Sequence, residues 1–277
     1  MFRDCYFKYA GIHSDTYNLA MEYVDDSYDE FDTGGKYEVI TDTLPQCTDT
    51  LLYGLKYAEN PLEFSVEIIN PDGAIPFNQM IEIKNWLFGQ DGWKKLELFD
   101  SDYRGYYLKC LLIPEQDIVD ASGYRGIRCT VKNMSAFWYG NDIEYTYTKE
   151  QLQSLYDEEQ EWSVLNIDVN TISPTPIMPR VEISLSEVSG VIPVLENTTT
   201  QTYVSCCVDS TWSGCIWGFD SKYFSVTKNG EPSLSGAYTN GDALYLTKGK
   251  NILTIDEIDE INYVKISYTP IYRLGGF

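Results

Sequence analysis

Among 277 residues there is one histidine, His13, and no pair of cysteines spaced C-x-x-C. Zinc sites are normally built from cysteine and histidine ligands at such spacings, so no metal centre is expected. A catalytic relay is equally short of material. Ser14 and Asp15 adjoin His13 in sequence, whereas a nucleophile, base and orienting carboxylate must converge in space. Neither G-x-x-x-x-G-K-[ST] nor G-x-G-x-x-G occurs, which leaves a nucleotide cofactor without its phosphate cradle. The 42 acidic residues guarantee that some carboxylates lie close together, so a glycosidase-like pair discriminates nothing. The sequence therefore nominates no catalytic residue, no metal ligand and no cofactor.

No apolar run approaches the length needed to span a bilayer, and Arg3, Asp4 and Lys8 interrupt the stretch where a secretory signal would need an apolar core. Membrane insertion is not expected. Basic charge is scarce: 20 lysines and arginines face the 42 acids, for a net charge of −22. Stable nucleic-acid binding requires phosphate neutralisation by lysine and arginine, so such a surface argues against holding DNA. Acidity of this size also keeps a concentrated protein soluble. Seven cysteines, at positions 5, 47, 110, 129, 206, 207 and 215, are odd in number and several fall on strand-like alternations. They read as reduced thiols of a protein made in a cytoplasm.

What the chain has is aromatic and β-forming residues. Hydrophobic residues make up 43% and aromatics 14%, including 23 tyrosines, far from a disordered composition. Two-residue alternation marks Leu62 to Ile68, Lys95 to Leu98, Ile127 to Lys132 and Ile143 to Tyr147. Beyond these, Val164 to Ile167, Val181 to Leu185, Tyr203 to Asp209 and Ala243 to Leu246 read as strands separated by glycine, proline, asparagine and aspartate. Only two helices are predicted. The first is capped by Asn78, carries Ile81, Trp86, Leu87 and Phe88 on one face, and ends at a left-handed Gly89. The second starts at Thr148 in a T-x-x-Q capping box and runs through Leu152 and Leu155 toward Trp162. Its acidic end, Asp157 to Glu161, opposes the helix dipole and marks a hinge between domains.

The order of the unit from Ile81 to Leu112, with Trp-Leu-Phe-Gly followed by Lys-Leu-Glu-Leu-Phe-Asp and Gly-Tyr-Tyr-Leu-Lys, resembles the N-terminal domain of the distal tail proteins of long-tailed siphophages. The second half is similar to that family's C-terminal domain at Pro179 to Ile183, at the Lys248 to Ile252 turn and at the closing Val264 to Arg273; residues 189–242 add little. The resemblance implies an all-β chain of two β-sandwich domains with one or two short helices. Residues 1–158 would be a tail-tube-like ring-forming domain and 159–277 a galectin-like sandwich, the last strand, about 262–273, being free to return to the first domain. It further implies a structural virion protein, synthesised in the bacterial host cytoplasm and located at the phage tail tip. There it would form a homo-oligomer, a hexameric ring, joining the tail tube protein to the tail-tip hub or tail-associated adhesion protein, with receptor-binding proteins as further partners. DNA would pass through its channel, and an acidic wall would let the polymer slide without sticking.

Two groups of residues stand out on that background. Trp212 and Trp217 flank Ser213 to Ile216 and are candidates for stacking on sugar rings. A carbohydrate-binding adhesin module for host attachment is the alternative they raise. Tryptophans at this spacing are more often core and rim packing, which is the role expected of this pair, and nothing in the sequence matches the histidine, asparagine and arginine sugar-contact set of a galectin. Asp25, Asp26, Asp29, Glu30 and Asp32 lack the every-second-residue ligand spacing and closing glutamate of an EF-hand. They read instead as an inter-subunit arm or as channel-lining acids.

Overall fold

The computed structural model describes residues 3–24, 36–43, 50–58, 63–157, 159–170, 176–188, 193–233, 238–239 and 243–272. It is all-β apart from two short α-helices and three 3-10 turns among those residues. The chain forms two compact units, residues 1–140 with 272–277, and residues 141–271. The sequence placed the division after residue 158. It falls earlier because Ile143–Thr148 pairs along its whole length with Ile261–Tyr268, a central strand of the second unit. Tyr272, by contrast, groups with the first unit and sets its ring 4.9 Å from that of Tyr106.

The first unit is built on one antiparallel sheet. Its strands run in the order Ile12–His13, Phe7–Tyr9, Lys94–Leu98, Tyr106–Asp120, Gly123–Asn133, Glu63–Ile69 and Ala20–Tyr23. The sheet curls back on itself, since Met21 on the last strand exchanges both backbone hydrogen bonds with Cys5, two residues before Phe7. Alternation is the cause of the inward face: Glu63–Ile69 buries Phe64, Val66 and Ile68 and leaves their neighbours partly solvated. Lys36–Thr43 and Thr50–Ala58 form a separate two-stranded hairpin in the same unit.

Helix Phe77–Phe88 packs into this core through Met80, Ile83, Trp86 and Leu87, whereas Ile81 points outward at 45% exposure. The apolar stripe therefore starts one residue earlier than the sequence suggested. Its N-cap position is Pro76, without a side-chain cap, and Asn78 sits inside the first turn. Gly89 does end the helix, but at φ −82° rather than in the left-handed region. Glycine is needed there for space, because a Cβ would lie 2.5 Å from the Asn85 carbonyl oxygen. Trp86 locks the helix to the sheet, its Nε1 donating to the Tyr9 carbonyl at 2.9 Å.

The second unit is a sandwich of two six-stranded sheets. One has Arg180–Leu185, Ile216–Asp220 and Ile261–Tyr268 at its centre, the other Trp162–Val169, Gly249–Ile255 and Val194–Asn197. Their inner faces meet in one core that includes Val181, Ile183, Trp217 and Val264 from the first sheet and Leu165, Ile167, Leu253 and Leu195 from the second. The Thr148 capping box forms as expected: Thr148 N donates to Gln151 Oε1 at 2.8 Å and Gln151 N to Thr148 Oγ1 at 3.5 Å. That helix stops at Ser154, short of the predicted extent, because Tyr156 and Asp157 turn back to pair with Ser163 and Trp162. Ala243 to Leu246 is not a strand beyond one bridge between Leu246 and Ile177. Buried Asn197 takes its backbone instead, Nδ2 donating to Tyr245 O at 2.8 Å, and buried Asn251 holds the residue that follows it, Nδ2 donating to Thr247 O at 2.7 Å.

Candidate functional site

His13 does not sit in a catalytic constellation. It precedes a single 3-10 turn, with Nδ1 2.7 Å from Asp15 Oδ1 and its ring stacked 4.7 Å from Phe99. Its side chain is 38% exposed. Ser14, the neighbouring hydroxyl, is buried and accepts from Phe7 N at 3.0 Å, which ties the turn to the sheet. Asp25, Asp26, Asp29, Glu30 and Asp32 lie outside the described residues, as does Cys47.

The other six cysteines are free thiols. Cys5, Cys110, Cys129 and Cys206 are buried and act as small core hydrophobes. Burial pushes the Cys129 thiol up to about 12 and that of Cys110 higher than the ordinary thiol range, so neither is a thiolate at neutral pH. No group of three metal-ligating side chains is assembled among the described residues.

The two tryptophans nominated for sugar stacking are both inward. Trp217 is 0% exposed and lies parallel to Phe219, ring centroids 5.9 Å apart. Trp212 is 6% exposed, at the end of a 3-10 turn that Asp209 caps by accepting from Thr211 N, and Lys228 Nζ lies 4.9 Å from its ring centre. A ring without an exposed face offers nothing to a saccharide.

Two features that the sequence reading did not nominate are exposed. On the first unit, Phe77 and Ile81 stand one helical turn apart, 63% and 45% exposed, with Tyr124 6.3 Å from the Phe77 ring. Lys84 on the same helix pairs with Asp117 at 2.8 Å, linking the helix to the outer part of strand Tyr106–Asp120. On the second unit, an open cleft of about 690 Å3 lies between the Gln153–Trp162 turn and residues 256–259. Tyr156 and Trp162 line it, each 37% exposed, over a buried Ile258. Gln153, Gln160, Glu161, Asp256, Glu257 and Asp259 complete the wall, and no lysine or arginine lines it among the described residues. Asp256 is held by Val194 N, which donates to its Oδ1 at 2.6 Å. Burial raises its carboxyl above the usual range.

Residues 2–135, nearly the whole first unit, match the family model described as phage tail protein N-terminal domain. No curated protein matches the chain. Among solved structures it is similar to the SPP1 Dit (gp 19.1) protein, described as a paradigm of the hub adsorption apparatus in phages infecting Gram-positive hosts. The TM-score is 0.63 at 11% identity, over 97% of this chain and 99% of that one. A chain of the phage P2 baseplate in its activated, calcium-containing conformation matches with a TM-score of 0.52 at 8% identity, over 96% and 97% of the two chains. The likeness read from the sequence thus has two supports: residues 2–135 match a phage tail N-terminal domain model, and the fold is shared with the SPP1 Dit protein over 97% of this chain.

Proposed function

We propose that this chain is a structural protein of a phage virion that forms a ring of six copies at the distal end of the tail, made by its N-terminal unit. The ring joins the tail tube to the adhesion or baseplate hub and leaves a channel through which DNA passes. The C-terminal unit, read as galectin-like, faces outward and holds receptor-binding components. The observation that carries this reading is the coincidence of a tail-protein match over residues 2–135 with a shared fold over 97% of the chain.

Two physical features fit it. Permanent subunit contacts are large and apolar, and Phe77 and Ile81 are the kind of exposed apolar pair that a neighbouring copy would cover. A net charge of −22 suits a wall past which a polyanion must slide, with Asp25, Asp26, Asp29, Glu30 and Asp32 proposed as arm or channel acids. Function then resides in assembly geometry and needs no turnover, no cofactor and no sugar site at Trp212 or Trp217.

Negative-stain imaging of the purified protein, with light scattering on the same sample, tests the reading. Closed rings of six subunits are expected. A protein that stays monomeric and contributes no ring density to the assembled particle defeats it.

A further inference from the structure

The cleft on the second unit has a shape and a charge that together restrict its occupant. It is an open cleft of about 690 Å3, wide enough to admit a side chain. Tyr156 and Trp162 give it aromatic walls, and Ile258 an apolar floor. Around them stand four carboxylates and the amides of Gln153 and Gln160, with no basic residue in the lining among the described residues. The Lys149 ammonium borders the cleft, donating to the Asp259 carbonyl at 2.7 Å, and one cation leaves most of the charge of four carboxylates unmatched.

Each ligand class meets this wall differently. An anion is repelled. A bare metal ion is poorly served, since no three carboxylates converge on one point among the described residues. A neutral sugar can stack on the rings but leaves the repulsion among the acids unrelieved. A lysine or arginine side chain satisfies both halves of the wall: its aliphatic stem lies along the aromatic faces and its charged head reaches the carboxylates. Burial raises the Glu257 carboxyl above the usual range, and the neighbouring charges of Asp256, Glu260, Asp259 and Glu161 act in the same direction. Glu161 and Glu257 also hold left-handed backbone, φ +63° and +51°, a strained conformation for residues with a side chain.

We propose that this cleft is a docking groove for a lysine- or arginine-bearing loop of a partner protein. Who carries that loop rests on the tail-tip reading, in which the second unit holds receptor-binding components; the recognition chemistry does not. The groove is placed on the face formed by the Gln153–Trp162 turn and residues 256–259, and its lining includes neither Trp212 nor Trp217.

The test is a titration of the full-length protein labelled with 5-fluorotryptophan and followed by fluorine NMR, the Trp162 resonance being assigned by Trp162→Phe. The probes are N-acetyl-arginine amide, N-acetyl-lysine amide, N-acetyl-glutamine amide and N-acetylglucosamine oligomers. The two cationic amides are expected to move the Trp162 resonance while the neutral amide and the sugars leave it in place. Glu161→Gln and Glu257→Gln should each weaken that response about two- to fivefold, the worth of one solvated ion pair. Added salt should weaken it as well. A response to the sugars alone, or equal responses to arginine and glutamine amides, overturns the proposal. Imaging reads the ring and the titration reads the groove, so either can fail without the other.

Discussion

Replacing Trp217 with alanine separates a packing role from a binding role. The side chain is wholly buried, lies parallel to Phe219 at 5.9 Å, and sits on a strand paired with Ile183 on one side and Lys228 on the other. Truncating a buried tryptophan removes its transfer free energy and leaves a cavity, together about 3–5 kcal/mol. For the unit spanning Asn141–Ile271, that is a large share of the roughly 5–15 kcal/mol typical of a domain. At about 3–5 °C per kcal/mol for a unit of this size, the melting transition should fall by roughly 10–20 °C. Calorimetry on the full-length variant measures it. Trp212, more peripheral and partly covered by Lys228, should cost less when truncated. If the Trp217 variant melts where the parent does and instead loses attachment to cells or glycans, the packing argument is wrong and the adhesin reading takes its place.

Gly126→Ala should destabilise the first unit by at least the upper end of the roughly 1–3 kcal/mol typical of overpacking. The new Cβ would lie 2.1 Å from the Ile68 carbonyl oxygen, a backbone atom that cannot rotate away; a urea midpoint equal to the parent's refutes this. Asp256 gives a pH-dependent pair of variants. Its carboxyl is raised by burial, so the folded state favours the protonated form, and a penalty present at neutral pH disappears as pH falls through the folded value. Asp256→Asn keeps an acceptor for Val194 N and removes the charge, so it should match or exceed the parent's melting temperature at pH 7, with the difference shrinking on acidification. Asp256→Ala strands that N–H and should cost about 1–3 kcal/mol. Equal losses in both variants would show that the charge is not the unfavourable element.

Strands with one buried face were legible because alternation is a direct projection of that burial. Glu63–Ile69 and Trp162–Val169 are of this kind. The outer part of Tyr106–Asp120 was not legible. From Ile113 onward it is mostly exposed, contains Pro114 and carries register shifts, so its pairing with Gly123–Asn133 comes from the partner strand and not from its own pattern. Ile143–Thr148 alternates without burying any residue fully, and nothing local reveals that its tyrosine hydroxyls reach Asp168 and Asn166 carbonyls in the second unit. The acidic run after it therefore looked like a hinge, when it is one bank of a cleft.

The same reasoning explains why the sequence drew attention to Trp212 and Trp217, which are buried, and not to the partly exposed Trp162. Trp212 and Trp217 drew attention because they lie five residues apart among small polar side chains, yet the strand Ile216–Asp220 is buried on both faces at its centre. Trp162 was passed over as the end of a helix. The tight turn that pairs Asp157 with Trp162 leaves its ring half in solvent, and the four-residue stretch that supplies the opposite acids lies almost a hundred positions further on. A signal existed in the two acidic segments, 157–161 and 256–260, each next to an aromatic or branched apolar residue. Only the sheet that pairs Ser163 with Ile255 brings them together. A cleft of this sort is created by topology, and single-residue motifs are a poor guide to it.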